Sequence, residues 1–168
     1  GKAVPRSGAK PGDLICVSGT VGDAAFGLKH LGHELQQRLD YPTPRCTLGQ
    51  ALKGLANSMI DVSDGLAQDL GHILKASQVG ATLGLEKLPI SPALQALNDE
   101  QRWQYALAGG DDYELCFTIS PQNYEKLLQK QLDVSISIIG SIQQQHGLTF
   151  EKDGVDHSLQ FNGYQHFA

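Results

Sequence analysis

The chain has 168 residues, 40% hydrophobic and 18% charged, enough to bury a core as one globular domain and too apolar for a disordered or fibrous polymer. Its formal net charge is −5, with 13 Lys and Arg scattered and no basic stripe, which argues against a nucleic-acid partner. No apolar run approaches a membrane span and no secretory signal opens the chain, and Cys16, Cys46 and Cys116 form no CxxC pair, so the expectation is three buried free thiols in a reducing, cytoplasmic compartment.

In chain order, "GKAVPRSGAKPGD" lacks an initiator methionine and reads as the middle of a longer protein, and its Pro11-Gly12-Asp13 turn leads into an apolar strand over 14–17. A Gly-opened turn then enters a helix with Ala25, Leu28 and Leu31 at helical spacing, and the prolines of "YPTPR" break it. "TLGQALKGLANS" predicts a helix over 47–58, with Leu48, Leu52 and Leu55 on one face and Thr47 as cap. "MIDVS" is a short strand, and "DGLAQDLGHILKAS" a helix striped by Leu66, Leu70, Ile73 and Leu74. A strand over 81–90 ends at Pro89–Ile90, and a helix over 91–110 begins with Pro92 in its first turn. "YELCFTIS" is a strand, "PQNYEKLLQKQ" a helix, and "VSISIIGSI" and "LTFEKDG" are two further strands. Interleaved strands and helices without internal repeats place the chain in the α/β or α+β class, as one layered domain.

Three clusters carry chemistry. Asp61, Ser63 and Asp64 stand where the "MIDVS" strand becomes a helix. Asp64, helped by Ser63, would serve as an ordinary helix cap. Asp61 has no such explanation, because aspartate is a poor strand residue. Two carboxylates on one rim suit Mg²⁺, and the N–H groups of the following turn suit a phosphate. In "AGGDDYELCF", Asp111 and Asp112 after Gly109-Gly110 form either a solvated acidic turn or a second carboxylate cluster. Gly19 and Gly22, before a helix, offer a possible anion cradle that matches neither the P-loop nor GxGxxG. The six histidines show no metal-ligand spacing, and Trp103 and Tyr105 read as core or partly buried anchors. The terminal "LQFNGYQHFA" spaces Phe161, Tyr164 and Phe167 three apart, which predicts an anchored tail with Tyr164 freed by Gly163 to reach over a pocket.

Five motifs occur in order: "RSGAKPGD" at 6–13, "GTVGDAAFGL" at 19–28, "PTPR" at 42–45, "IDVSDGLAQDLGHI" at 60–73 and "GGDDYELCF" at 109–117. Together they resemble the C-terminal half of the thiamine-monophosphate kinase family, within the wider group of aminoimidazole ribonucleotide synthetase, selenophosphate synthetase and a hydrogenase maturation factor. The resemblance implies a mixed sheet with packed helices, like the C-terminal domain of aminoimidazole ribonucleotide synthetase. It implies transfer of the γ-phosphoryl group of ATP to thiamine monophosphate, giving thiamine diphosphate and ADP, with Mg²⁺ ions among the phosphates and catalysis by positioning and electrostatics. It makes Asp61 and Asp64 Mg²⁺ ligands, Arg6 and Ser63 ATP contacts, and Asp111 and Tyr164 contacts to thiamine, and it assigns no residue here a covalent or acid–base role. Asp111 stands where the family has Glu, one methylene longer. The resemblance also implies an N-terminal metal-binding and dimerisation domain outside this chain, a homodimer at full length, and no turnover by this chain alone. The alternatives are the matching half of a selenophosphate synthetase or hydrogenase maturation protein, or a non-catalytic module that binds a phosphate ligand.

Overall fold

The computed structural model describes residues 3–30 and 45–157. The aromatic tail with Phe161, Tyr164 and Phe167, the continuation of the first helix past His30, and both prolines of "YPTPR" lie outside the described residues.

The strands are β1 (Leu14–Ser18), β2 (Ala56–Asp61), β3 (Gly80–Gly84), β4 (Leu115–Ile119), β5 (Ile136–Gln143), β6 (Gly147–Lys152) and β7 (Val155–Asp156). They form one sheet in the order β2-β4-β1-β5-β3-β6-β7. Among the described residues only β3 and β6 pair in parallel, so the sheet is mixed. The helices are α1 (Asp23–Lys29), α2 (Cys46–Leu52), α3 (Leu66–Ser77), α4 (Pro92–Gln95), α5 (Asp99–Ala108) and α6 (Pro121–Leu128).

Strand alternation assigns the core to two faces. Ile15, Val17, Ile60 and Cys116 point to one face and pack with Leu66, Leu70 and Ile73 of α3 and with Trp103 and Leu107 of α5. Cys16, Leu115, Phe117 and Ile119 point to the other and pack with Leu48 and Leu52 of α2 and Leu127 of α6. The apolar runs of β1 and β4 are therefore the signature of central strands covered on both sides.

Several boundaries differ from expectation. The helix expected over 47–58 ends at Leu52, because Gly54 turns at φ 80° and residues from Ala56 onward pair with β4. Its N-cap is Arg45 rather than Thr47. The strand expected over 81–90 ends at Gly84 in a 3₁₀ turn, Leu85–Lys87. The helix expected over 91–110 is two, because the Asn98 side chain accepts from the Gln101 N–H at 2.8 Å and starts α5 afresh. Pro92 does open α4, and Ser120 caps α6.

Burial of all three thiols is corrected for Cys46, which is exposed in the first turn of α2, whereas Cys16 and Cys116 are buried. Burial pushes the Cys16 thiol up to about 12 and the Cys116 thiol higher still. Iodoacetamide at about pH 8 is expected to alkylate Cys46 in the native protein and the other two only after unfolding. Intact-mass spectrometry showing two or three native adducts would contradict this packing. Among the described residues no helix is long and apolar enough to cross a membrane.

Candidate phosphate and metal site

Two of the sequence clusters meet because β2 and β4 are neighbours. Their ladder, which pairs Asp61 with Leu115, continues beyond the strands. The Val62 N–H donates to the Glu114 carbonyl at 2.8 Å, Tyr113 N–H to the Val62 carbonyl at 2.9 Å, and Asp111 N–H to the Ser63 carbonyl at 2.9 Å. Asp61, Asp64 and Asp111 are consequently exposed on one rim of the sheet, with Ser63 half-buried between the aspartates. The crossing is tight. A Cβ on Gly110 would stand 2.7 Å from the Ser63 carbonyl oxygen, so only glycine fits there. Asp111 and Tyr113 both adopt left-handed backbone, at φ 64° and 53°. Such conformations cost about 1–3 kcal/mol each and gather at functional sites.

The capping reading of Asp64 does not hold. The N-cap of α3 is Gly65, at φ 135°, and no side chain caps it. Instead Oδ2 of Asp69, on α3 itself, accepts from the backbone N–H groups of Ser63 at 2.7 Å, Asp64 at 2.9 Å and Gly65 at 3.3 Å. Those three N–H groups, expected to face a phosphate, are thus occupied from within. The anion cradle at Gly19 and Gly22 is corrected in the same way. The Asp112 carboxylate accepts from the Gly22 N–H at 2.8 Å and the Ala24 N–H at 3.3 Å, so the start of α1 holds the chain's own anion. Asp112 is buried and separates from Asp111, which remains at the rim.

Beneath the rim, Glu114 is fully buried. Its carboxylate accepts from the Ser18 hydroxyl at 2.7 Å and from Nε and Nη2 of Arg45 at 2.6 and 2.8 Å. This is the bidentate geometry that suits a guanidinium. The bond to Glu114, with the attraction of its charge, raises the Arg45 pKa further despite partial burial. Arg45 and Cys46 then form one wall of a cleft of about 410 Å³, with Met59 and Asp61 of β2 and Tyr113 and Leu115 opposite.

The carboxylates of Asp64 and Asp69 and the imidazole of His72 place one ligand atom each within 4.8 Å of one another; Asp61 is not in that group. The donor set decides how far a hard cation fits. Asp61 and Asp64 are exposed oxygen donors, which suit Mg²⁺ together with phosphate oxygens. Asp69 already spends an oxygen on three N–H groups, and the His72 nitrogen is a poor Mg²⁺ donor. Arg6 is exposed, and its carbonyl accepts from the Ser77 hydroxyl at the C-terminal end of α3. The adjoining Pro5 carbonyl accepts from the Met59 N–H of β2 at 3.0 Å, two residues before Asp61, so the segment that carries Arg6 runs beside the strand that leads to the rim. Tyr164 lies outside the described residues.

Asp69, Glu114 and Arg45 are absent from the residues singled out by sequence. For Asp69 the signal is present: it falls on the apolar stripe of its helix, three residues after Leu66 and four before Ile73. For the Arg45–Glu114 pair there is none, since the partners are 69 residues apart.

With this geometry in view, the chain matches the family of AIR synthase related protein, C-terminal domain, over residues 10–153. It is 48% identical to the thiamine-monophosphate kinase of Escherichia coli (strain K12), across all of this chain and 56% of that protein. The crystal structure of thiamine-monophosphate kinase from Stenotrophomonas maltophilia K279a is 41% identical with a TM-score of 0.83, over 94% of this chain and 55% of that one. AaThiL complexed with AMPPCP and TMP is 33% identical with a TM-score of 0.78, over 96% and 53%. The chain therefore spans about half the length of the relatives it matches.

Proposed function

For this chain, which belongs to the family of AIR synthase related C-terminal domains, we propose the role of C-terminal half of a kinase that phosphorylates thiamine monophosphate to thiamine diphosphate with ATP. The observation that carries this is the pairing of the Asp61–Asp64 turn with the Asp111 loop at one rim, in a chain 48% identical to a thiamine-monophosphate kinase. The complex of AaThiL with AMPPCP and TMP supports a nucleotide and thiamine monophosphate as the ligands.

In this reading Asp61 and Asp64 hold Mg²⁺, whose bound form neutralises the crowded phosphates during in-line transfer. Ser63, carried between them, donates its hydroxyl to ATP. Arg6 pairs with ATP phosphates, a role supported by its place in "RSGAKPGD" and by the Pro5–Met59 backbone bond that lays its segment beside β2. Asp111 accepts from the exocyclic amine of the aminopyrimidine, and the strained backbone on either side of Asp112 fixes its direction. Tyr164 lays its ring on thiamine. The full-length protein acts in the cytoplasm as a homodimer, with an N-terminal domain supplying further metal ligands.

The test is direct. The full-length protein with Mg²⁺, ATP and thiamine monophosphate should release thiamine diphosphate and ADP in equal amounts, and this chain alone should release neither. Full-length protein that binds ATP but turns over no thiamine monophosphate would favour the non-catalytic module. Tyr164→Ala should raise KM for thiamine monophosphate while KM for ATP stays within about twofold, and Tyr164→Phe should keep most activity because the ring face is used. A Tyr164→Ala protein with both KM values unchanged and only a lower Tm would remove Tyr164 from the substrate site.

A further inference from the structure

We propose that Asp69 is a positioning residue: its buried carboxylate clamps the Ser63–Asp64–Gly65 turn and so aims the Ser63 hydroxyl and the Asp64 carboxylate at the phosphates. This rests on the kinase reading for its catalytic consequence, but the clamp itself is a matter of geometry.

An ordinary helix cap lies outside the helix and accepts from N–H groups inside its first turn. Asp69 does the reverse. It is the fourth residue of α3, and it accepts from Gly65, Asp64 and Ser63, all of which precede the helix. In a capping box a side chain of the first turn reaches back to one such N–H; here one oxygen gathers three. Of the three, only the Gly65 N–H belongs to the helix's own open donors, so helix stability does not account for the bonds from Ser63 and Asp64. What they restrain is the turn that carries the two rim groups.

The placement is also costly without a purpose. Asp69 is only 2% exposed and sits on the apolar stripe that packs against the sheet. A buried carboxylate is tolerated when its lone pairs meet N–H donors and the positive end of a helix, and Asp69 has both. The turn is also pinned from outside: the Ser63 carbonyl accepts from Asp111 N–H, and a Cβ on Gly65 would stand 3.1 Å from the carbonyl oxygens of Leu107 and Ala108. The carboxylate of Asp64 emerges as the exposed member beside Asp69 and His72. With the turn held on both sides, its charge meets the phosphates with little reorganisation, which is where electrostatic catalysis gains most.

The experiment compares full-length wild type and Asp69→Asn by hydrogen exchange and by kinetics. In wild type the amides of Ser63, Asp64 and Gly65 should exchange far more slowly than exposed loop amides. In Asp69→Asn their protection should fall at least ~tenfold while the amides of the later turns of α3 keep theirs. The Mg²⁺ concentration for half-maximal rate should rise at least ~fivefold and kcat should drop, with KM for thiamine monophosphate within ~twofold. Asp69→Asn protein that melts earlier but keeps its kcat and Mg²⁺ dependence would overturn the proposal, leaving Asp69 a structural residue. Should the variant fail to fold, the wild type alone decides: fast exchange at all three amides overturns the clamp, and slow exchange supports it. If wild-type protein shows protected amides but no kinase turnover, the proposed activity has failed and the clamp has not.

Discussion

Glu114→Ala is expected to destabilise the domain by about 3–5 kcal/mol, the usual loss when one partner of a buried ion pair is removed. Glu114 has no exposed surface and answers the Ser18 hydroxyl and both donors of the Arg45 fork. Without it, a guanidinium that is 16% exposed keeps its charge and loses its acceptor. Ser18 also loses the acceptor for its hydroxyl proton while still accepting from the Leu115 N–H at 2.9 Å. Glu114→Gln retains an oxygen of similar reach and should lose less. Urea unfolding of the variants checks this, and a loss below about 1 kcal/mol for Ala, the scale of one ordinary hydrogen bond, would mean that water replaces the pair. The cleft should change too, since Arg45 is one of its walls. The neighbouring glycine is part of the same arrangement: a Cβ on Gly19, at φ +61°, would lie 2.2 Å from a Glu114 carboxylate oxygen, so Gly19→Ala should displace the same pair.

Asp64→Asn should do the opposite. Its carboxylate is exposed, and the start of α3 is shaped by Gly65 and Asp69, so Tm should stay within about 2 °C, the shift expected for roughly half a kcal/mol or less. If Asp64 is the proposed Mg²⁺ ligand, turnover of the full-length protein should fall by more than ~tenfold, which is ~1.4 kcal/mol of barrier, because one charge that would hold the metal is lost. Asp61→Asn belongs to the same class. Steady-state rates at saturating ATP, beside a thermal melt, separate the outcomes. An unchanged rate with an unchanged Tm would leave Asp64 as a solvated surface carboxylate and would sink its assignment as a ligand.

Much of the architecture is local and was legible in the residues. The apolar runs at 14–17 and in "YELCFTIS" read as strands, the 3.6-residue stripe over Leu66, Leu70, Ile73 and Leu74 reads as a helix, and Pro92 and Pro121 suit helix starts by their own backbone chemistry. Asp61 stood out as well, because aspartate is a poor strand residue and capping does not explain it. The ends of elements were less legible. Where Gly54 turns or Asn98 restarts a helix, the deciding energy is a pairing with β4 or a single cap, and periodicity continues smoothly past both. What only the tertiary structure decided is which anion each backbone donor receives. Asp69 and Asp112 satisfy from inside the chain the N–H groups that a sequence offers to a ligand, and Glu114 holds an arginine that precedes it by 69 residues. Any nearby carboxylate satisfies such donors equally well, so sequence spacing does not distinguish an internal partner from a bound phosphate; the register of β2 against β4 does, by setting which carboxylates turn inward and which stay at the rim.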